Sequence, residues 1–306
     1  MDSIICMVCL WGIACAIVTT SVNVKLITGL MSNKSKKNDE MRLFYCRFII
    51  DMCFGISLFT SVLITLLSIR APDLIQDYRS IIILHSLPWS NLAACRSIIA
   101  LSITADRVLA AYFPISYRTG KFMMPVWLII STSIAFALSE EIVLFGCCSY
   151  DFVVPANCKV FGCAVNKCFY SFWTIHKSVI FLTISVLSIF LSVRSLFYKS
   201  SKHTTANSQI TKANRLALLD TVVVLIFDFI PSLCGSMSLT ASFFNFEVIG
   251  PYIAVAKVTG CAIEAIIVAV FLIAKKPKQL KSITVNGKKV TVVNHSTKQT
   301  TSTFQK

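Results

Sequence analysis

The stretch SITADRVLAAYFPISY, Ser102 to Tyr117, puts Asp106 and Arg107 side by side at the end of an otherwise apolar run. Adjacent residues on a helix point about 100° apart, so the two charges need not pair, and Arg107 can reach inward while Asp106 restrains it. Pro114 is expected to end the helix, because the residue before a proline is driven out of the helical region. Tyr117 is expected to anchor the following connection at a membrane interface. Physically, the stretch reads as a charged helix end that can differ between two states.

The rest of the chain explains why such an end matters. Hydrophobic residues are 56% of the 306 and charged residues only 14%, with a mean hydropathy of +0.74. Soluble domains run near a quarter charged, so a soluble protein of this length could not cover its surface. Seven apolar runs are long enough to cross a bilayer: Ile4 to Leu30, Leu43 to Leu67, His85 to Ala111, Phe122 to Gly146, Phe169 to Leu196, Asn214 to Thr240 and Val248 to Ala274. A backbone in lipid must satisfy its own hydrogen bonds, so continuous helices are expected. The first run lacks a basic leader and a small-residue cleavage pattern, and reads as a retained span.

The net charge of +15 is arranged for anionic lipid rather than nucleic acid. Basic residues concentrate in alternate connections and in the tail: Lys34, Lys36, Lys37 and Arg42; Arg118 and Lys121; Lys199, Lys202 and Lys212; and eight lysines from Lys275 onward. The opposite connections carry Arg70, Arg79, Lys159 and Lys167. Seventeen against four predicts an outside N-terminus and a cytoplasmic tail. The expected organisation is a receptor-sized bundle over residues 1–276 and a disordered cytoplasmic tail over 277–306. The sequons at Asn33 and Asn294 fall on the cytoplasmic side and are expected to be unmodified.

Ionisable groups inside spans are expensive and face the bundle interior or a cavity. Asp51, Arg96, Lys177, Asp228 and Glu264 are such groups. Each is open to three uses: contact with a ligand, carriage of an ion or proton, or a tie between helices. Asn23 and Asp51 fit the last two uses best, since both sit in the cytoplasm-facing halves of their helices. Lys257 and Glu264 share a helix face about 10 Å apart, too far for a local pair, so each needs a partner elsewhere. Lys177 and Lys257 lie toward the outer half, where a cation either meets an acidic ligand or snorkels to the surface. In the run FDFIP, Pro231 removes a backbone hydrogen bond beside Asp228 and Phe229, giving either a hinge or a static kink.

No catalytic or cofactor motif is present. His85, His176, His203 and His295 are dispersed, no cysteine spacing suits a metal, and neither His-Glu-x-x-His, Gly-x-Ser-x-Gly nor a phosphate-binding glycine loop occurs. No enzyme, metal or cofactor is expected.

The pattern Asp106-Arg107, Ala110, Pro114, Tyr117 resembles the Asp-Arg-Tyr helix end and second intracellular loop of rhodopsin-like G-protein-coupled receptors. Asn23 resembles the polar position of their first helix, Asp51 the aspartate of their second, and Phe229 with Pro231 their aromatic-x-Pro switch. Val108 departs from the motif's third residue, and the seventh span lacks Asn-Pro-x-x-Tyr. The superfamily's disulfide from the third helix is also in doubt, because Cys95 lies about 16 Å along the helix from Asp106. Cys147, Cys148, Cys158, Cys163 and Cys168 instead cluster in or beside one connection, where a bridge within the loop is expected.

A narrower resemblance covers the span bundle. The runs MRLFYCRFIIDMCFG, ANRLALLDTVVVLIFDFIPS and GPYIAVAKVTGCAIEA are similar to nematode serpentine chemoreceptors, class BC above all. The resemblance implies an all-α membrane protein, a seven-transmembrane bundle of rhodopsin-like architecture. It also implies detection of an external small molecule at the ciliary plasma membrane of a sensory neuron, with activation of a heterotrimeric G protein. Arg96, Lys177, Asp228, Phe229 and Lys257 are then expected ligand contacts. Asp106, Arg107, Pro114, Tyr117 and Pro231 are expected in activation and coupling, and Asn23, Asp51 and Glu264 in polar ties between helices. Two alternatives stand beside this reading: a transporter or proton pathway through Asp51, Asp228 and Glu264, and a receptor that no longer couples.

Overall fold

The computed structural model describes residues 2–32, 42–75, 78–120, 125–155, 158–199, 218–236, 249–273, 283–285 and 288–290. Among these, six helices are long and apolar enough to cross a membrane. They are span 1 (Asp2–Ser32), span 2 (Arg42–Arg70), span 4 (Val126–Ile142, extended by a wider turn over Val143–Cys147), span 5 (Lys167–Lys199), span 6 (Leu218–Gly235) and span 7 (Tyr252–Ile273). Span 3, Ser80–Tyr112, has 33 residues and is long enough at 1.5 Å per residue, but it is more polar. Its neighbours explain the polarity: it packs against spans 2, 4 and 5, and buries Ser86, Ser90, Arg96, Ser97, Thr104 and Arg107 among them. The chain is a helical multi-pass membrane bundle.

Burial runs opposite to that of a soluble protein. Trp127 is 68% exposed, Met7 64% and Ile189 62%, while Arg47 and Thr104 are fully buried. Large apolar side chains face outward because lipid is as apolar as leucine, and the polar groups retreat to where they find partners. Close helix approach uses small residues. A Cβ on Gly55 would lie 2.7 Å from the Thr20 hydroxyl and 3.2 Å from the Ala16 carbonyl, so spans 1 and 2 meet there without a side chain between them.

At one end, Phe113 (φ −122°) breaks span 3 and Pro114 opens a short helix, Pro114–Arg118. Proline is favoured at that first position, where its missing N–H has no helical acceptor to lose. At the other end, the connection from span 4 to span 5 folds inward. Its short helix Phe161–Ala164 sets the Phe161 ring edge-on to Trp89 at 5.5 Å and to Trp173 at 5.9 Å. Disulfides Cys148–Cys168 and Cys158–Cys163 hold this connection, whereas Cys95 is a free thiol donating to the Ser133 carbonyl.

Span 6 departs from regular α-helix over Leu225–Phe229, a π turn, before Ile230–Ser236 resumes with Pro231. Proline at 231 has no N–H for the Phe227 carbonyl, and a widened turn accommodates that loss.

In the stretch expected to be a disordered tail, the described residues are two short strands, and the rest of it lies outside the described residues. Strands β1 (Ile283–Val285) and β2 (Lys288–Val290) pair antiparallel, with Ile283 opposite Val290. Asn286-Gly287 between them is a strong sequence signal for a two-residue hairpin, and it outweighs the polar composition around it. The cytoplasmic lysines expected between spans 1 and 2 and from Lys202 to Lys212, Lys121, and both sequons lie outside the described residues.

Candidate functional site

Three polar assemblies lie along span 3. The largest is at its middle, where Arg96 emerges among three carboxylates. Its Nε donates to Asp51 of span 2 at 2.8 Å, one terminal nitrogen to Asp228 of span 6 at 2.8 Å, and the other to Glu264 of span 7 at 3.0 Å. Arg47, one turn before Asp51, donates to the same Glu264 oxygen at 2.6 Å and to Asp220 of span 6. Lys257 of span 7 closes the assembly, its ammonium 3.1 Å from Asp228. The side chains in these pairs are at most 4% exposed.

Burial makes this arrangement obligatory rather than optional. A guanidinium away from water must have its donors filled, and a planar fork fills them best with carboxylates in its own plane. Spans 2, 3, 6 and 7 are thereby fixed to one another. Gly260 lets the last two approach beside the assembly, since a Cβ there would meet Phe227 Cβ at 2.8 Å.

A second assembly joins spans 3, 4 and 5 around Glu140, which is 2% exposed. His176 Nε2 lies 2.8 Å from its Oε1, and Ser90 donates to its Oε2 at 3.4 Å. Ser90 also accepts from the Trp173 indole at 3.0 Å. The Lys177 ammonium stands 3.9 Å from Glu140 Oε1 and 3.8 Å above the Trp173 ring, and makes no hydrogen bond among the described residues.

Beside Lys177 is a small cavity between spans 3, 5, 6 and 7, about 230 Å³ counting its open mouth. Trp89, Ala93, Trp173, Lys177, Ser232, Ile253, Ala254 and Lys257 line it. A larger cleft of about 420 Å³, counting its open mouth, shares Trp89, Trp173, Ile253 and Ala254 and reaches Leu58, Val62 and Ser86 under the Phe161 cap.

The third assembly is the one with which the sequence began. Arg107 is 2% exposed, and its Nε and one terminal nitrogen both donate to Asp106 Oδ2. That terminal nitrogen also donates to the Tyr117 hydroxyl at 3.0 Å, and Tyr117 in turn donates to Asp106 at 3.1 Å. Pro114 makes this closure possible by turning the chain so that Tyr117 returns over the helix end. Tyr117, expected as an interfacial anchor, has its hydroxyl held by the charge pair. The two charges, which need not pair, do pair.

The expected ligand contacts divide. Lys177 and Lys257 line the smaller cavity. Arg96 and Asp228 line neither cavity described, because their polar atoms are directed into the ion assembly. Phe229 packs instead on Ala100, Ile180, Phe181 and Val224. The snorkelling alternative for the two lysines fails on burial, at 2% and 4% exposed. Asp51 and Glu264 tie helices together as their positions suggested. Asn23 does not: its amide donates to Thr19 of its own helix at 2.9 Å. Thr19 makes the crossing bond, to the Val258 carbonyl at 3.3 Å.

Sequence reasoning missed Arg47, Asp220, Glu140 and His176. Arg47 carried a usable signal, since Arg47-x-x-x-Asp51 places both charges on one face of an apolar helix. Glu140 and His176 meet across two helices, and no spacing announces that.

A search of protein families finds residues 1–276 matched by the serpentine type 7TM GPCR chemoreceptor family Srbc. That stretch contains all seven spans and all three assemblies. The chain belongs to the Srbc family. It is thus a multi-pass, membrane-embedded chemosensory seven-transmembrane receptor, in a family of receptors rather than catalysts. No curated protein matches this Srbc chain.

Proposed function

We propose that this Srbc receptor binds an external small molecule and activates a heterotrimeric G protein, from a plasma-membrane position with its N-terminus outside and its tail in the cytoplasm. Sensory cilia are the matching location. The observation that carries the reading is the closed Asp106–Arg107–Tyr117 assembly. A buried arginine whose hydrogen bonds among the described residues go to its neighbour in sequence and to the adjoining turn is releasable without breaking an ion pair between spans.

Ligand binding among spans 3, 5, 6 and 7 favours one arrangement only through unequal affinity for the two. Lys177 and Lys257 supply the contacts, with Asp228, itself held by Arg96, keeping Lys257 in place. Pro231 and the π turn before it supply the bend about which span 6 moves, and Pro114 sets the turn that Tyr117 rides on. The transport reading needs Asp51, Asp228 and Glu264 to pass ions or protons. Their engagement with Arg47, Arg96 and Lys257 weighs against that use.

The test is calcium imaging in cells expressing the chain with a promiscuous G protein, over a broad panel of volatile and water-soluble chemicals. A response that vanishes in surface-delivered Arg107→Ala is expected. Ligand-dependent flux without G-protein activation would instead establish the transport reading.

A further inference from the structure

The smaller cavity says what kind of molecule the receptor takes. Both charged side chains lining it are cationic, Lys177 and Lys257. Lys257 already faces Asp228 at 3.1 Å. Lys177 differs: its nearest carboxylate oxygen, Glu140 Oε1 at 3.9 Å, is beyond hydrogen-bond reach and is already held by His176 at 2.8 Å. What supports the Lys177 cation is the face of Trp173, which attracts charge but accepts none of its N–H groups in ordinary hydrogen-bond geometry. An ammonium has three donors, and burying them without acceptors is costly. Lys177 therefore brings to the cavity lining a buried donor set with no acceptor among the described residues.

The geometry points to a small monocarboxylate with an apolar tail as the ligand, its carboxylate bound by Lys177 with Lys257 beside it. This rests on the receptor reading above. The apolar surface for the tail is that of Trp89, Trp173, Ile253 and Ala254, which line both this cavity and the larger cleft beside Leu58 and Val62. An amine meets two ammonium groups and no carboxylate on the lining, because Glu140 and Asp228 lie behind it and are engaged by His176 and by Arg96 and Lys257. A neutral amide offers Lys177 an acceptor but no charge, and charge-assisted bonds are about twice as strong as neutral ones.

The test uses the full-length receptor in lipid nanodiscs, with butanoate, hexanoate and octanoate as probes and the corresponding amides and amines as controls, read by ligand-induced thermal stabilisation. Wild-type receptor is expected to prefer an acid over its amide by at least tenfold and to ignore the amines. Lys177→Met is expected to lower acid affinity by about 10- to 100-fold, the range for losing one hydrogen bond to a charged group, and Lys177→Arg to recover most of it. Should Lys177→Met fail to fold, the wild-type comparison of acid with amide decides alone. Equal binding of acid and amide, unchanged acid affinity in a folded Lys177→Met, or no acid binding at all would overturn the proposal. Acid binding without a calcium response would support the ligand class and defeat coupling. A calcium response to neutral chemicals alone would do the reverse.

Discussion

Arg96 and Arg107 sit on one helix, eleven residues apart, and both are 2% exposed. Their partners differ in kind. Arg96 reaches carboxylates on spans 2, 6 and 7, whereas Arg107 is held by Asp106 next to it and by Tyr117 ten residues on. One arginine is a staple through the bundle, and the other is a latch on its own helix end. Releasing the first means separating four spans; releasing the second rearranges two side chains. The same residue type, equally buried, therefore joins four spans in one place and closes a single helix end in the other.

The contrast is broken most directly at Arg96. Arg96→Met leaves Asp51, Asp228 and part of Glu264 buried without their shared cation, and unpairing one buried partner costs about 3–5 kcal/mol. Surface delivery, measured by labelling intact cells, is expected to collapse, and Arg96→Lys should restore little of it because an ammonium's three donors radiate from one nitrogen and cannot span acceptors arrayed around a planar guanidinium. Normal delivery of Arg96→Met would show that the assembly is not a staple.

Glu264→Gln is the next step down. It keeps the volume and one acceptor but removes the charge that Arg47 and Arg96 share at 2.6 and 3.0 Å. A loss of about 1.5–3 kcal/mol is expected, the range for hydrogen bonds to charged groups, seen as reduced thermal stability of purified receptor with surface delivery partly kept. Lowered stability with delivery unimpaired would still place the residue in the staple; no change in either would remove it.

These ties were only partly legible beforehand. The spans, span 3 among them, were readable because lipid demands long apolar runs. The partner of Arg96 was not readable, because an arginine's three contacts lie on helices separated from it by 45, 132 and 168 residues. Asp51 and Glu264 were found as isolated charges, yet Arg47 and Asp220 were passed over close to the span ends, where a charge looks like an interfacial residue. Phe229 was assigned to the ligand by resemblance, and only packing shows it against Phe181 and Ala100. The hairpin at 283–290 had a local signal in Asn286-Gly287 that tail composition obscured.

Arg107→Ala should stand apart from both substitutions above. Its partner Asp106 is only part-buried, at 14% side-chain exposure, and keeps the Tyr117 hydroxyl as a donor, so it suffers less from losing its cation than the carboxylates around Arg96 do. Surface delivery and thermal stability are expected to stay close to wild type while the agonist response disappears. Parallel loss of delivery and response would make Arg107 a folding residue and erase the distinction from Arg96.

The finest test is Tyr117→Phe, which preserves the ring and its 5.9 Å approach to the guanidinium but deletes the hydroxyl that bridges Arg107 and Asp106. Removing one hydrogen bond from the closed arrangement is worth about 1 kcal/mol, or roughly a fivefold shift in a two-state equilibrium. If the assembly is a latch, the shift goes toward the released state: agonist-free signalling rises by up to that factor, and delivery is unchanged. Concentration–response curves decide the sign, since a weakened latch moves them to lower agonist concentration. A curve moved the other way would mean that Tyr117 stabilises the active arrangement, and the closed assembly would then be the signalling state rather than the resting one.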